Sequence, residues 1–143
     1  MPFPGNKAFA IGVGFLIGSM VNMVIVWTGP RVIPLPEGVD MSDMEKVPEN
    51  IPLLKPANFL APWLAHAVGT LVGAFVAAKL SIENRFRAAM VVGVLFLLGG
   101  ITTVIMVGGP VWFILLDLAG AYLPMAFLGA RLAGVGIKPA FNA

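Results

Sequence analysis

The chain has 143 residues, of which 59% are hydrophobic and 11% charged, with a net charge of +2 and a mean hydropathy of +0.95. Soluble domains carry roughly 25% charged residues, so these values exclude a soluble enzyme, a disordered chain and a nucleic-acid binder. Cysteine is absent, which excludes disulfides, iron–sulfur clusters and thiolate metal sites.

Four apolar stretches follow in order: 8–28, 57–80, 87–107 and 110–132. A helix crosses a hydrocarbon core of ~30 Å with ~20 residues at ~1.5 Å each, and runs of this length without alternation are helices rather than barrel strands. The spacing predicts an all-α integral membrane protein, a single domain of four transmembrane helices. The first stretch exceeds the ~7–15 residues of a signal-peptide core and no A-x-A-like site follows it, so it reads as a retained span.

Lys7, Lys79, Arg85, Arg87, Arg131 and Lys138 flank one side of these spans, and Arg31, Lys46 and Lys55 the other. Six against three predicts both termini in the cytoplasm and the long 29–56 loop outside. That loop carries Glu37, Asp40, Asp43, Glu45 and Glu49 and six of the twelve prolines. Proline fixes φ and lacks a donor, so the loop is expected to be extended or turned. A short helix is expected at 40–47, with Asp40 or Ser42 as its N-cap.

The first and third spans resemble each other. GVGFLIGSMVN from Gly12 to Asn22 matches GVLFLLGGITT from Gly93 to Thr103 at an offset of 81. More weakly, His66-x-x-Gly69 falls on Asp117-x-x-Gly120, and Trp63 and Trp112 open the second and fourth spans as interfacial anchors do. An even number of helices per unit predicts two parallel two-helix repeats, related by a pseudo-twofold along the membrane normal. With its PEGVD loop (Pro36 to Asp40) and its HAVGTL segment (His66 to Leu71), the chain resembles a group of small four-helix bacterial inner-membrane proteins. The resemblance implies that fold and that membrane, and brings no activity or site residue with it.

Small residues mark where such helices meet, because close backbones gain dispersion contacts that lipid tails do not replace. Gly14, Gly18, Gly69, Gly73, Gly99 and Gly120 are the expected packing glycines. Pro124 removes the amide that would bond the Gly120 carbonyl. Asn22 and Thr103 lie four residues beyond Gly18 and Gly99, while His66 and Asp117 lie near the outer ends of their spans. With alternating helix directions, Asn22, His66, Thr103 and Asp117 fall ~8–12 Å below the outer helix ends. They are expected to form one polar layer holding the only His and the only acid within a span. Tyr122 reads as an interior packing residue and Lys79 as a cytoplasmic anchor.

No catalytic template emerges: one His and no Cys cannot build a His-rich mononuclear metal site without a second subunit, Ser19, Ser42 and Ser81 have no linked base, and no cofactor is implied. The expected function is a non-enzymatic inner-membrane scaffold or accessory protein with lipid as its medium, a homo-oligomer or subunit of a membrane complex with no nucleic-acid partner. The alternatives are a small oligomeric proton- or cation-linked channel or transporter using His66 and Asp117, and a binder of a lipid-soluble cofactor beside Trp63 and Trp112.

Overall fold

The computed structural model describes residues 6–136, so Lys138 lies outside the described residues. Its helices are α1 (Lys7–Val32), α2 (Val47–Asn50), α3 (Leu60–Leu80), α4 (Arg85–Val107), α5 (Val111–Gly120) and α6 (Leu123–Leu132), with no strand among the described residues. Four segments are long and apolar enough to cross a membrane: Lys7–Val32, Pro56–Leu80, Arg85–Val107 and Val111–Leu132.

Local chemistry sets the boundaries. The Asn6 side chain accepts from the Ala8 amide and caps α1, as a short polar side chain does for an orphan donor in a first turn. The helix runs to Val32, through Pro30 and one turn beyond the expected end at 28, so residues 29–32 leave the loop. Pro30 forfeits one bond, yet the Ile33 amide still reaches the Gly29 carbonyl. Pro34 then bars Ile33 from the helical region and ends the run. Before α3, Pro56–Phe59 form a 3-10 turn. Asn58, nearly fully buried, accepts there from the Lys55 amide and donates to the Pro34 carbonyl, stapling the two ends of the loop together.

Within the loop the helix expected at 40–47 does not form, and a single turn lies at Val47–Asn50 instead. Asp40 accepts from both the hydroxyl and the amide of Ser42, a local bond that competes with helix initiation. Those two bonds, the hydroxyl's first, hold the Asp40 carboxyl below its ordinary value. A depressed pKa means that this contribution to the turn is present above the ordinary carboxylate pKa and fades as pH falls through the lowered one.

α1 and α3 are antiparallel and in close backbone contact. A Cβ placed on Gly14 would stand 2.5 Å from the Gly73 carbonyl oxygen, and one on Gly18 2.5 Å from that of Gly69. One end of this seam is closed by Gly29 against Ala61 and the other by Gly14 against Ala77. α6 lies parallel to α3, with Gly129 on Ala74 and the Leu71 carbonyl, and antiparallel to α4, where Gly93 meets Ala126 and Gly100 meets Tyr122. At the end opposite the loop, Arg85 donates to the carbonyls of Ala78 and Ala133, joining the ends of α3 and α6 through the start of α4.

Two of the expected packing positions differ. Gly99 is exposed with nothing near it, while its neighbour Gly100 takes the contact, and a Cβ placed on Gly120 would meet only the Trp63 ring, at an ordinary 3.9 Å. The glycines paired by the offset of 81 also have unlike surroundings: Gly12 is open where Gly93 is packed, and Gly18 is packed where Gly99 is open.

These contacts give opposite expectations for one substitution type. Gly14→Ala and Gly18→Ala should each destabilise the protein by about 1–3 kcal/mol through overpacking, read from thermal melting in detergent. Gly99→Ala should be within about 0.5 kcal/mol of wild type.

Candidate functional site

The fourth span is not one helix over 110–132: it breaks at Ala121–Tyr122, where Tyr122 has φ −115° and ψ −83°, and α6 begins with Pro124 in its first turn. α5, ten residues long, buries a single side chain, and that side chain is Asp117. Leu115 and Leu116 beside it are 65% and 52% exposed. Such a pattern suits lipid, where apolar groups face outward and a charged group turns into the bundle.

Asp117 meets His66 of α3. The imidazole Nδ1 lies 2.8 Å from Oδ1 and 3.0 Å from Oδ2 of the carboxylate. The Tyr122 hydroxyl donates to Oδ2 at 2.8 Å and lies 3.0 Å from His66 Nδ1. A carboxylate only accepts, so the bond is satisfied with the proton on Nδ1, and Tyr122 supplies the second donor. The Tyr122 and His66 rings are stacked with centroids 5.6 Å apart. The Tyr122 ring in turn rests on Gly100, where a Cβ would overlap its hydroxyl and ring atoms.

Burial grades across the cluster. Tyr122 is 1% exposed and the Asp117 side chain 4%, against 20% for the His66 side chain. His66 makes its bonds through Nδ1, and its side chain is the least enclosed of the three. One turn to either side on α3, Trp63 Nε1 and Thr70 Oγ1 are enclosed without a partner.

His66 and Asp117 are thus together, as their depths imply. Asn22 is close by, with its Cβ against Gly69, but it bonds to none of the three. Thr103 is not part of the layer: it is exposed, and its hydroxyl donates to the Gly99 carbonyl of its own helix. Its four-residue spacing from Gly99 is real, but that stripe faces away from the bundle. Trp112 is half-exposed against Phe59 and Phe113 at the loop end. Trp63 is half-buried, with its indole nitrogen enclosed and unpaired. Both tryptophans line an apolar groove of about 330 Å³ with Pro56, Phe59, Leu60, Phe113 and Leu116.

Sequence reasoning missed Tyr122 as a member of the cluster. Its one available signal was being the only Tyr, two residues before Pro124. Among the described residues no three His, Asp or Glu side chains converge as a metal ion would need.

No protein-family model, curated protein or solved structure matches the chain.

Removing one donor from a buried carboxylate leaves an unmade bond worth about 1–3 kcal/mol. Tyr122→Phe should lower stability by that amount. Asp117→Ala should cost about 3–5 kcal/mol, as loss of one partner of a buried pair does. Thermal melting in one detergent, with helix content followed by circular dichroism, measures both.

Proposed function

We propose that this protein is a proton- or cation-linked membrane carrier or channel in which His66 and Asp117 form the working pair and Tyr122 sets its geometry. The observation that carries this reading is the position of the pair: a carboxylate buried in an apolar half-helix, directly beside a break in a membrane-length segment. An ionisable group at such depth is costly and usually serves transport or proton transfer, and discontinuous spans are where carriers build their sites. His66 adds a partly exposed ring with one edge on the carboxylate, of the residue type that relays protons near neutral pH.

The second reading is a non-enzymatic scaffold or accessory protein of the bacterial inner membrane. It is favoured by the closure of the cluster on itself, since the donors of His66 Nδ1 and Tyr122 are both consumed by Asp117. In either case we place both termini in the cytoplasm and the long loop outside, on the distribution of Lys and Arg. We take the protein to act as a homo-oligomer or within a membrane complex, one bundle of this size leaving little room for a pathway. The two parallel repeats are part of this proposal, and the match of GVGFLIG to GVLFLLG is their support.

Vesicles of purified protein separate the readings. With a pH-sensitive dye inside, a carrier should collapse an imposed proton gradient. Asp117→Asn should slow that collapse at least tenfold while the helix content is kept. No flux from the wild type for protons, Na⁺ or K⁺, together with a partner that co-purifies in mild detergent, would favour the scaffold.

A further inference from the structure

We propose that α5 is a hinged lid, held shut by Asp117 over a polar passage whose α3 wall is Trp63, His66 and Thr70. The three wall residues are spaced three and four apart, so they share one face of α3; His66 on Asp117 and Trp63 beside Gly120 set its loop-end part against α5, with Thr70 one turn further in. Trp63 and Thr70 each hold an enclosed donor with no partner. An enclosed donor without an acceptor disfavours the closed arrangement against one in which water reaches it. The closed state is therefore held against a bias toward opening, and the bonds from His66 and Tyr122 to Asp117 oppose that bias.

Both ends of α5 can act as pivots. Before it, Gly108 and Gly109 have φ of +77° and +150°, values that side-chain-bearing residues rarely adopt, and Pro110 follows. After it, the helix is broken at Ala121–Tyr122, and Pro124 has no amide to rebuild the ladder across the gap. Between these pivots Asp117 is the one fully buried residue of α5, while Phe113 rests on Phe59 with ring centroids 4.8 Å apart and half-buried Leu118 packs against the core. A short rigid segment between two backbone pivots, held by one polar tie and a few half-buried apolar contacts, is the construction of a hinge-borne gate. Breaking the tether would swing α5 outward and let water reach Trp63, His66 and Thr70. The lid supplies the moving part of the carrier reading and rests on it for its purpose. The motion itself is tested without any flux.

The absence of Cys makes single-cysteine labelling free of background. Thr70→Cys is made in the full chain, reconstituted in vesicles and treated with a small water-soluble thiosulfonate. Only a thiolate reacts, so the rate reports water at that position. Expected is slow labelling with Asp117 intact and at least tenfold faster labelling when Asp117→Asn is added. Ala89→Cys, at a fully buried position in the contact between α3, α4 and α6, should stay protected in both backgrounds. An unchanged rate for Thr70→Cys overturns the lid. So does equal acceleration of Ala89→Cys, because the tie would then hold the whole bundle and not α5 alone. Fast, selective labelling without proton flux would keep the lid and remove the carrier.

Discussion

A carboxylate within hydrocarbon has no water to turn to, and this constraint organises the loop-end half of the molecule. Asp117 is accommodated by the only imidazole and the only phenol in the chain, each within 3.0 Å of it or closer. Its cost is offset only if both oxygens are engaged and the pair is shielded. Both conditions are met by drawing α3, α5 and the start of α6 to one point. The apolar residues of α5 could have packed in many ways. The charged one could not, and it decides which face of α5 turns inward.

The rest of the bundle is held by a different force. Lipid tails are as apolar as leucine, so helices gain nothing by hiding leucine from lipid and gain only where backbones come close enough to replace tail contacts with denser ones. Gly14, Gly18, Gly69 and Gly73 supply that approach between α1 and α3, and Ala74, Gly93, Ala126 and Gly129 do the same between α6 and its neighbours. The molecule therefore has a tightly seamed portion built on small residues and a half-buried helix, α5, whose one fully buried side chain is held by polar bonds. Dispersion contacts spread over a seam are hard to break one at a time, whereas the hydrogen bonds of a single carboxylate can be broken together.

That division explains what could be read from the sequence. Four spans were legible from length and hydropathy, because the bilayer sets both. The meeting of His66 and Asp117 was legible from counting residues along alternating helices, since an embedded charge must find a partner at its own depth. The packing face of each helix was less so. In a soluble helix the polar side announces the exposed face, but α1 and α4 are apolar all round, and only glycine spacing hints at direction. That hint served for Gly14 and Gly18 and misled for Gly99, where the stripe of Gly99 and Thr103 faces out while Gly93 and Gly100 face in. A threonine can sit in such an outward position because its hydroxyl bonds to its own helix. Depth in the membrane is encoded by position along the chain, whereas azimuth around a helix is not.

The break in the fourth span and the membership of Tyr122 are one fact. In an unbroken α-helix, residues five apart point about 140° away from each other, so Tyr122 would turn its hydroxyl well away from Asp117. The bond between them therefore requires a departure from helical geometry between the two residues, and the backbone departs at Tyr122 itself. Pro124 makes that departure cheap, since the bond it would have cost, an amide at 124 to the Gly120 carbonyl, does not exist. Gly100 makes room for the displaced ring, which any larger residue would exclude. Proline alone produces kinks in many helices without building anything. Here the proline, the small residue facing it and the phenol together convert a kink into a second donor for the buried carboxylate, so the discontinuity is as much a part of the site as the His66–Asp117 pair.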